Sequence, residues 1–192
     1  MNDLAARAKA PAELARPQVR LNGPVDDSML RFFIDGLEAA RDGEGALALE
    51  LTTTGGDADV GRRIAADMRL FREQTGRRTL FLGKAVVYSA GVTIMSAFPR
   101  EDRWLAAGTM LLIHCRQIQR TVQLEGSLGS QRSLVEAVLA QIEAGLKVQE
   151  EDFRDLICGS QVGMPELLER AEACWYADAD EALSRGLVAG VI

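Results

Sequence analysis

From Val19 onward the chain alternates short apolar runs of strand length with longer segments whose apolar residues recur every three or four positions. That alternation restricts the fold to an α/β domain with mostly parallel strands, because each return to the sheet is made through a helix. Val19–Leu21 reads as a strand stopped by Asn22-Gly23-Pro24. Asp26 or Asp27 then caps a helix that carries Met29, Leu30, Phe33, Ile34, Leu37 and Ala40 on one face. Leu47, Leu49 and Leu51 alternate as a strand that runs into Thr52-Thr53-Thr54-Gly55-Gly56. The helix after it buries Val60, Ile64, Met68 and Phe71, and Thr79–Leu82 forms a strand ending at Gly83. Tyr88 to Met95 reads as a small-residue turn leading into an apolar helix, and Met110–Ile113 as a buried strand with His114 at its end. Residues 130–157 form one long helix with Leu134, Val138, Ile142, Leu146, Phe153 and Ile157 among its apolar positions. A short helix after Pro165, a strand at Trp175-Tyr176 and a helix led by Asp180 complete the pattern, which closes with Gly186-Leu187-Val188. Residues 1–18 are Ala-rich and read as a loosely ordered arm, which leaves 19–192 as a single domain.

A domain of that size buries a substantial core without disulfides or metals. The net charge of −6 is spread along the chain with no basic stripe, which argues against a nucleic-acid partner. The three cysteines form no C-x-x-C pair and there is one histidine, so no metal site and no cofactor is expected. Sparse, odd cysteines fit a reducing compartment. The first 18 residues carry charges throughout, and no apolar run reaches the length of a membrane span. The expected location is the cytoplasm, away from membranes.

The candidate chemistry lies at three strand ends. Ser89 sits between strand and helix in Gly83-Lys84-Ala85-Val86-Val87-Tyr88-Ser89-Ala90-Gly91. There a helix N-terminus polarises the hydroxyl, and small neighbours let a substrate backbone approach. Most such serines are ordinary turn or cap residues, so the motif gains its meaning from His114. A neutral imidazole at a strand end can take a proton from a serine hydroxyl and return it to a leaving amine. Gly55-Gly56 ends another strand, where backbone N–H groups can be turned toward a developing oxyanion. Strand ends converge on one open face of an α/β sheet.

In order and spacing these stretches resemble the Clp protease proteolytic subunit (ClpP) family, within the crotonase-like superfamily of folds. The matching stretches are Val19–Val25, Leu49–Gly56 with Gly61 and Ile64, Gly83–Gly91, Gly126–Ile157, and Trp175-Tyr176 with Glu181-Ala182 and Gly186–Val188. The 25 residues from Ser89 to His114 match the family spacing. The resemblance implies repeated β-β-α units with a protruding long handle helix at about residues 130–157. It implies Ser89 as nucleophile, His114 as general base, and the N–H groups of Gly56 and Ala90 as the oxyanion hole. It also implies a substrate-aligning segment at Gly126 and Gly129, working by strand addition on an extended peptide. The family's partners would be peptide or unfolded-protein substrates, other copies of the chain in rings stacked as pairs of heptamers, and a hexameric AAA+ unfoldase.

The chain departs from the family at three places. The aspartate position, counted back from Glu181-Ala182, holds Cys174, with Glu172 and Asp178 as the nearby carboxylates that could replace it. The turn from Gly83 to Ser89 is two residues longer than usual and includes Tyr88, and Arg116–Glu125 is a longer segment than the family norm. The leading expectation is a self-compartmentalising serine endopeptidase. Its alternative is a catalytically weak or inactive structural or regulatory subunit. A third reading, an acyl-CoA-handling crotonase relative, lacks the paired carboxylates that hydration chemistry needs.

Overall fold

The structure is a computed structural model and describes residues 9–192. Seven strands form one sheet: β1 (Val19–Asn22), β2 (Leu47–Thr53), β3 (Thr79–Tyr88), β4 (Arg103–Leu105), β5 (Met110–Ile113), β6 (Trp175–Asp178) and β7 (Gly190–Val191). Six α-helices accompany them: α1 (Asp27–Ala39), α2 (Ala58–Thr75), α3 (Ala90–Ser96), α4 (Leu128–Ile157), α5 (Met164–Glu172) and α6 (Ala179–Ser184). The order β1-β2-β3-β4-β7 is parallel throughout, and β5 pairs in parallel with the C-terminal half of β3. Among the described residues the one antiparallel pair is β5 with β6. This is the mixed, mostly parallel α/β sheet expected from the strand–helix alternation, with the long helix present.

Both faces of the central strands are covered, as parallel sheets require. On one face Leu47, Leu49 and Leu51 of β2 and Phe81 of β3 join Phe33, Ile64 and Met68 in the main core. Burial of each such side chain contributes about 1.5–3 kcal/mol. On the other face Ala48, Leu80, Leu82 and Trp104 form a second cluster covered by Leu14, which projects from a 3-10 turn at Ala12–Ala15. Gln18 pairs with Ala48 through both its backbone N–H and its side chain. Residues 10–18 of the expected arm are therefore anchored on the sheet, because that face is apolar and would otherwise meet water. The expected looseness of residues 1–8 lies outside the described residues.

β3 differs from the sequence expectation. It continues past Gly83 to Tyr88, because its second half gains a partner in β5. Between Leu51↔Gly83 and Thr53↔Val87, β2 advances two residues while β3 advances four. The two additional residues of the longer turn are absorbed there as a bulge, with Ala85 at φ 56°. Thr52 Oγ1 donates to the Lys84 carbonyl at 3.0 Å and Lys84 pairs with Glu50 at 2.7 Å, so the start of the bulge is fixed through both the backbone and the side chain of Lys84. The short β4 and β7, three and two residues long, carry too few side chains to show a period in the sequence.

The helix α4 starts at Leu128, two residues before the expected position, because Ser127 caps it. Its C-terminal third packs on the domain through Gln149, Phe153 and Leu156. Leu128, Val135, Leu139, Ile142 and Leu146 remain exposed along the rest. Arg62 ties α2 to α4 by donating to the Val148 carbonyl and to Asp152, each at 3.1 Å. Among the described residues no helix is long and apolar enough to cross a membrane.

Candidate active site

Ser89 directly follows β3 and stands as the N-cap of α3. Its backbone has φ 54° and ψ −116°, a region that costs a non-glycine residue about 1–3 kcal/mol. The strained conformation is held by Ser89 N–H donating to the Leu112 carbonyl at 2.8 Å and by Val92 N–H donating to the Ser89 carbonyl at 2.8 Å. The hydroxyl makes no capping hydrogen bond, so a structural role as a helix cap does not account for it.

Gly55 and Gly56 are required by close approach. A Cβ on Gly55 would lie 2.8 Å from the Ser89 Cβ, and Gly55 has φ 95°. Gly56, at φ 149°, packs against the Val25 backbone in a parallel bridge. That bridge uses the Gly55 carbonyl and the Asp57 N–H, bonded to Val25 at 2.9 and 2.8 Å. The Gly56 N–H has no hydrogen-bond partner among the described residues. Ala90 is the first residue of α3, where an N–H has no intrahelical acceptor.

Gly56, Ser89, Ala90 and His114 line one cavity of about 360 Å³. Val92, Ile113, Phe153 and Leu156 supply its apolar wall, and Arg116, Gln149 and Asp152 its polar one. The α4 residues Gln149, Asp152, Phe153 and Leu156 recur at helical spacing, so one stripe of the helix faces the cavity. The apolar pattern marked Phe153 in advance, but a glutamine and an aspartate on the same stripe gave no signal of their own. Burial pushes the Asp152 carboxyl above its usual range, against the opposing pull of Arg62.

His114 follows β5 directly, and its Nδ1 lies 2.7 Å from the Cys115 carbonyl. A carbonyl only accepts, so this contact is a hydrogen bond when Nδ1 carries the hydrogen, and the neutral ring then keeps its lone pair on Nε2. The three candidates for a third member do not take this place. Asp178 caps α6 by accepting from Glu181 N–H at 2.7 Å, and it pairs with Met110 at the far end of β5. Glu172 ends α5 beside the Cys115 thiol. Burial, and then Glu172, push that thiol up to about 11, so Cys115 is a neutral thiol at ordinary pH. Cys174 is exposed, immediately before β6, at φ 58°.

Gly126 and Gly129 do not line this cavity. Gly129 lies in the first turn of α4 and Gly126 just before its Ser127 cap. Residues 114–126 form no strand. The extended aligning strand suggested by the resemblance is thus not formed here, because the Ser127 cap commits the following residues to helix.

No family model matches the sequence, and no curated protein matches it. Among solved structures, the chain is similar to a point mutant of ClpP1 from Listeria monocytogenes. The TM-score is 0.69 at 16% identity, over 91% of this chain and 90% of that one. The match spans nearly the whole of both chains, and the chain has the ClpP fold.

Proposed function

We propose that the chain is a serine peptidase-like subunit that cleaves peptides by acyl transfer. The observation that carries this reading is the meeting of Ser89, His114 and the free amides of Gly56 and Ala90 around one cavity. In the proposed reaction His114 Nε2 takes the Ser89 hydroxyl proton as Oγ attacks the substrate carbonyl. The developing oxyanion is held by the N–H groups of Gly56 and Ala90. The imidazolium returns the proton to the leaving amine, and water then releases the acyl group by the reverse sequence of proton transfers. The cavity's apolar wall suits a large apolar side chain next to the cleaved bond.

Assembly belongs to the same proposal. The exposed apolar face of α4, from Leu128 to Leu146, is covered by other copies of the chain in a ring-type oligomer. Stacked heptamers and an AAA+ unfoldase partner follow from the fold by analogy. Light scattering on the size-exclusion peak that hydrolyses a fluorogenic peptide gives a mass several times 20.8 kDa. Activity confined to a 20.8 kDa species contradicts the assembly.

A second reading, a weakly active or inactive ring subunit, is favoured by one observation: among the described residues no carboxylate meets His114 Nδ1. Under it the oligomer forms but turns over little or no peptide.

A further inference from the structure

We propose that Gln149 is a positioning residue for His114, acting through the peptide group that joins Cys115 to Arg116. The inference rests on reading Ser89 and His114 as nucleophile and base. His114 Nδ1 lies 2.7 Å from the carbonyl of that peptide, and the N–H of the same peptide donates to Gln149 Oε1 at 2.6 Å. One rigid amide plane is therefore held at both ends. Donation from its N–H polarises its carbonyl and makes that oxygen a stronger acceptor for Nδ1–H.

Three further facts place Gln149 in this role. It is 6% exposed, a low value for a glutamine, and it lines the same cavity as His114. Its helix is fixed on either side of it by Arg62, through the Val148 carbonyl and Asp152. The Cys115 N–H approaches the Ala171 carbonyl at 3.4 Å, which steadies the strand end before the peptide. The chain Gln149–peptide–His114 does by relay what a carboxylate does directly in a Ser-His-Asp triad: it selects the tautomer and fixes the ring. This accounts for the exposed Cys174 at the family's aspartate position.

His114 is the sole histidine, so its ring nitrogens can be observed without overlap. The test is long-range ¹H–¹⁵N NMR of the histidine-labelled full chain, at an alkaline pH where imidazoles are neutral, with peptide hydrolysis measured in parallel. The wild type shows the Nδ1–H tautomer. Gln149→Met removes the acceptor, giving mixed tautomers and a loss of about tenfold or more in kcat with a smaller change in KM. Gln149→Glu restores an acceptor and recovers the Nδ1–H tautomer, with activity above that of Gln149→Met. An Nε2–H tautomer in the wild type overturns the proposal, even if Gln149→Met fails to fold. So does an unchanged Nδ1–H tautomer in folded Gln149→Met. If the tautomer responds but the wild type hydrolyses no peptide, the positioning role stands and the peptidase reading falls. Hydrolysis without a tautomer response gives the reverse.

Discussion

Ser89→Ala is expected to lower kcat for peptide hydrolysis by about 10⁶-fold, the scale seen when a serine nucleophile is removed. The fold should be barely affected. Ser89 Oγ makes no capping bond, so deleting it leaves no buried group unpaired, and the stability change stays within about 0.5 kcal/mol. The strained backbone at φ 54° costs alanine about what it costs serine. The measurement is turnover of a fluorogenic peptide, with the thermal midpoint and oligomer size of the mutant compared with the wild type. Unchanged turnover would remove Ser89 from the mechanism.

Arg103→Met is expected to produce the largest loss of stability, about 3–5 kcal/mol, because several buried carbonyls lose their donor at once. Arg103 is only 2% exposed. Its guanidinium donates to the carbonyls of Ser96 (3.1 Å), Phe98 (2.8 Å), Asp155 (2.9 Å), Leu156 (2.7 Å) and Leu187 (3.5 Å). It thus joins the end of α3, the last turn of α4 and the segment before β7. Burial draws its pKa down to about 10, which still leaves it charged at neutral pH. Methionine fills much of the same volume but leaves those carbonyls without their donor. For a chain of this length the thermal midpoint should fall by about 10 °C. Because Leu156 and Phe153 wall the cavity, peptide hydrolysis should fall with it. A midpoint within about 2 °C of the wild type would show that the carbonyls find other donors.

Neither Arg103 nor Gln149 could be read from the sequence as a key residue. Each is a polar residue whose meaning depends on backbone groups brought from distant positions, such as the Leu156 carbonyl or the Arg116 N–H. Local patterns do not report such partners. The residues that were legible sit where the chain's local grammar changes. Ser89 marks the switch from strand to helix, His114 the end of an apolar strand, and Gly55-Gly56 a turn that no side chain could occupy. The strands β1, β2 and β5 were legible because their apolar runs stop at turn residues or at His114. The extension of β3 beyond Gly83 was not, because it depends on pairing with β5 and on a bulge at Ala85. Ile34 and Ile142 have helical spacing yet stay exposed, since periodicity places a residue on a face without saying whether the face is covered.

As proposed, Ser89 is an activated nucleophile in a preformed cavity. A fluorophosphonate probe reads this out, because the reagent reacts with an activated serine and needs no knowledge of the natural substrate. Peptide mapping of the labelled protein is expected to place a single phosphonate adduct on Ser89, with labelling suppressed in a His114→Ala variant. No adduct on Ser89 in the folded oligomer, or an adduct that forms equally well without His114, would contradict the claim.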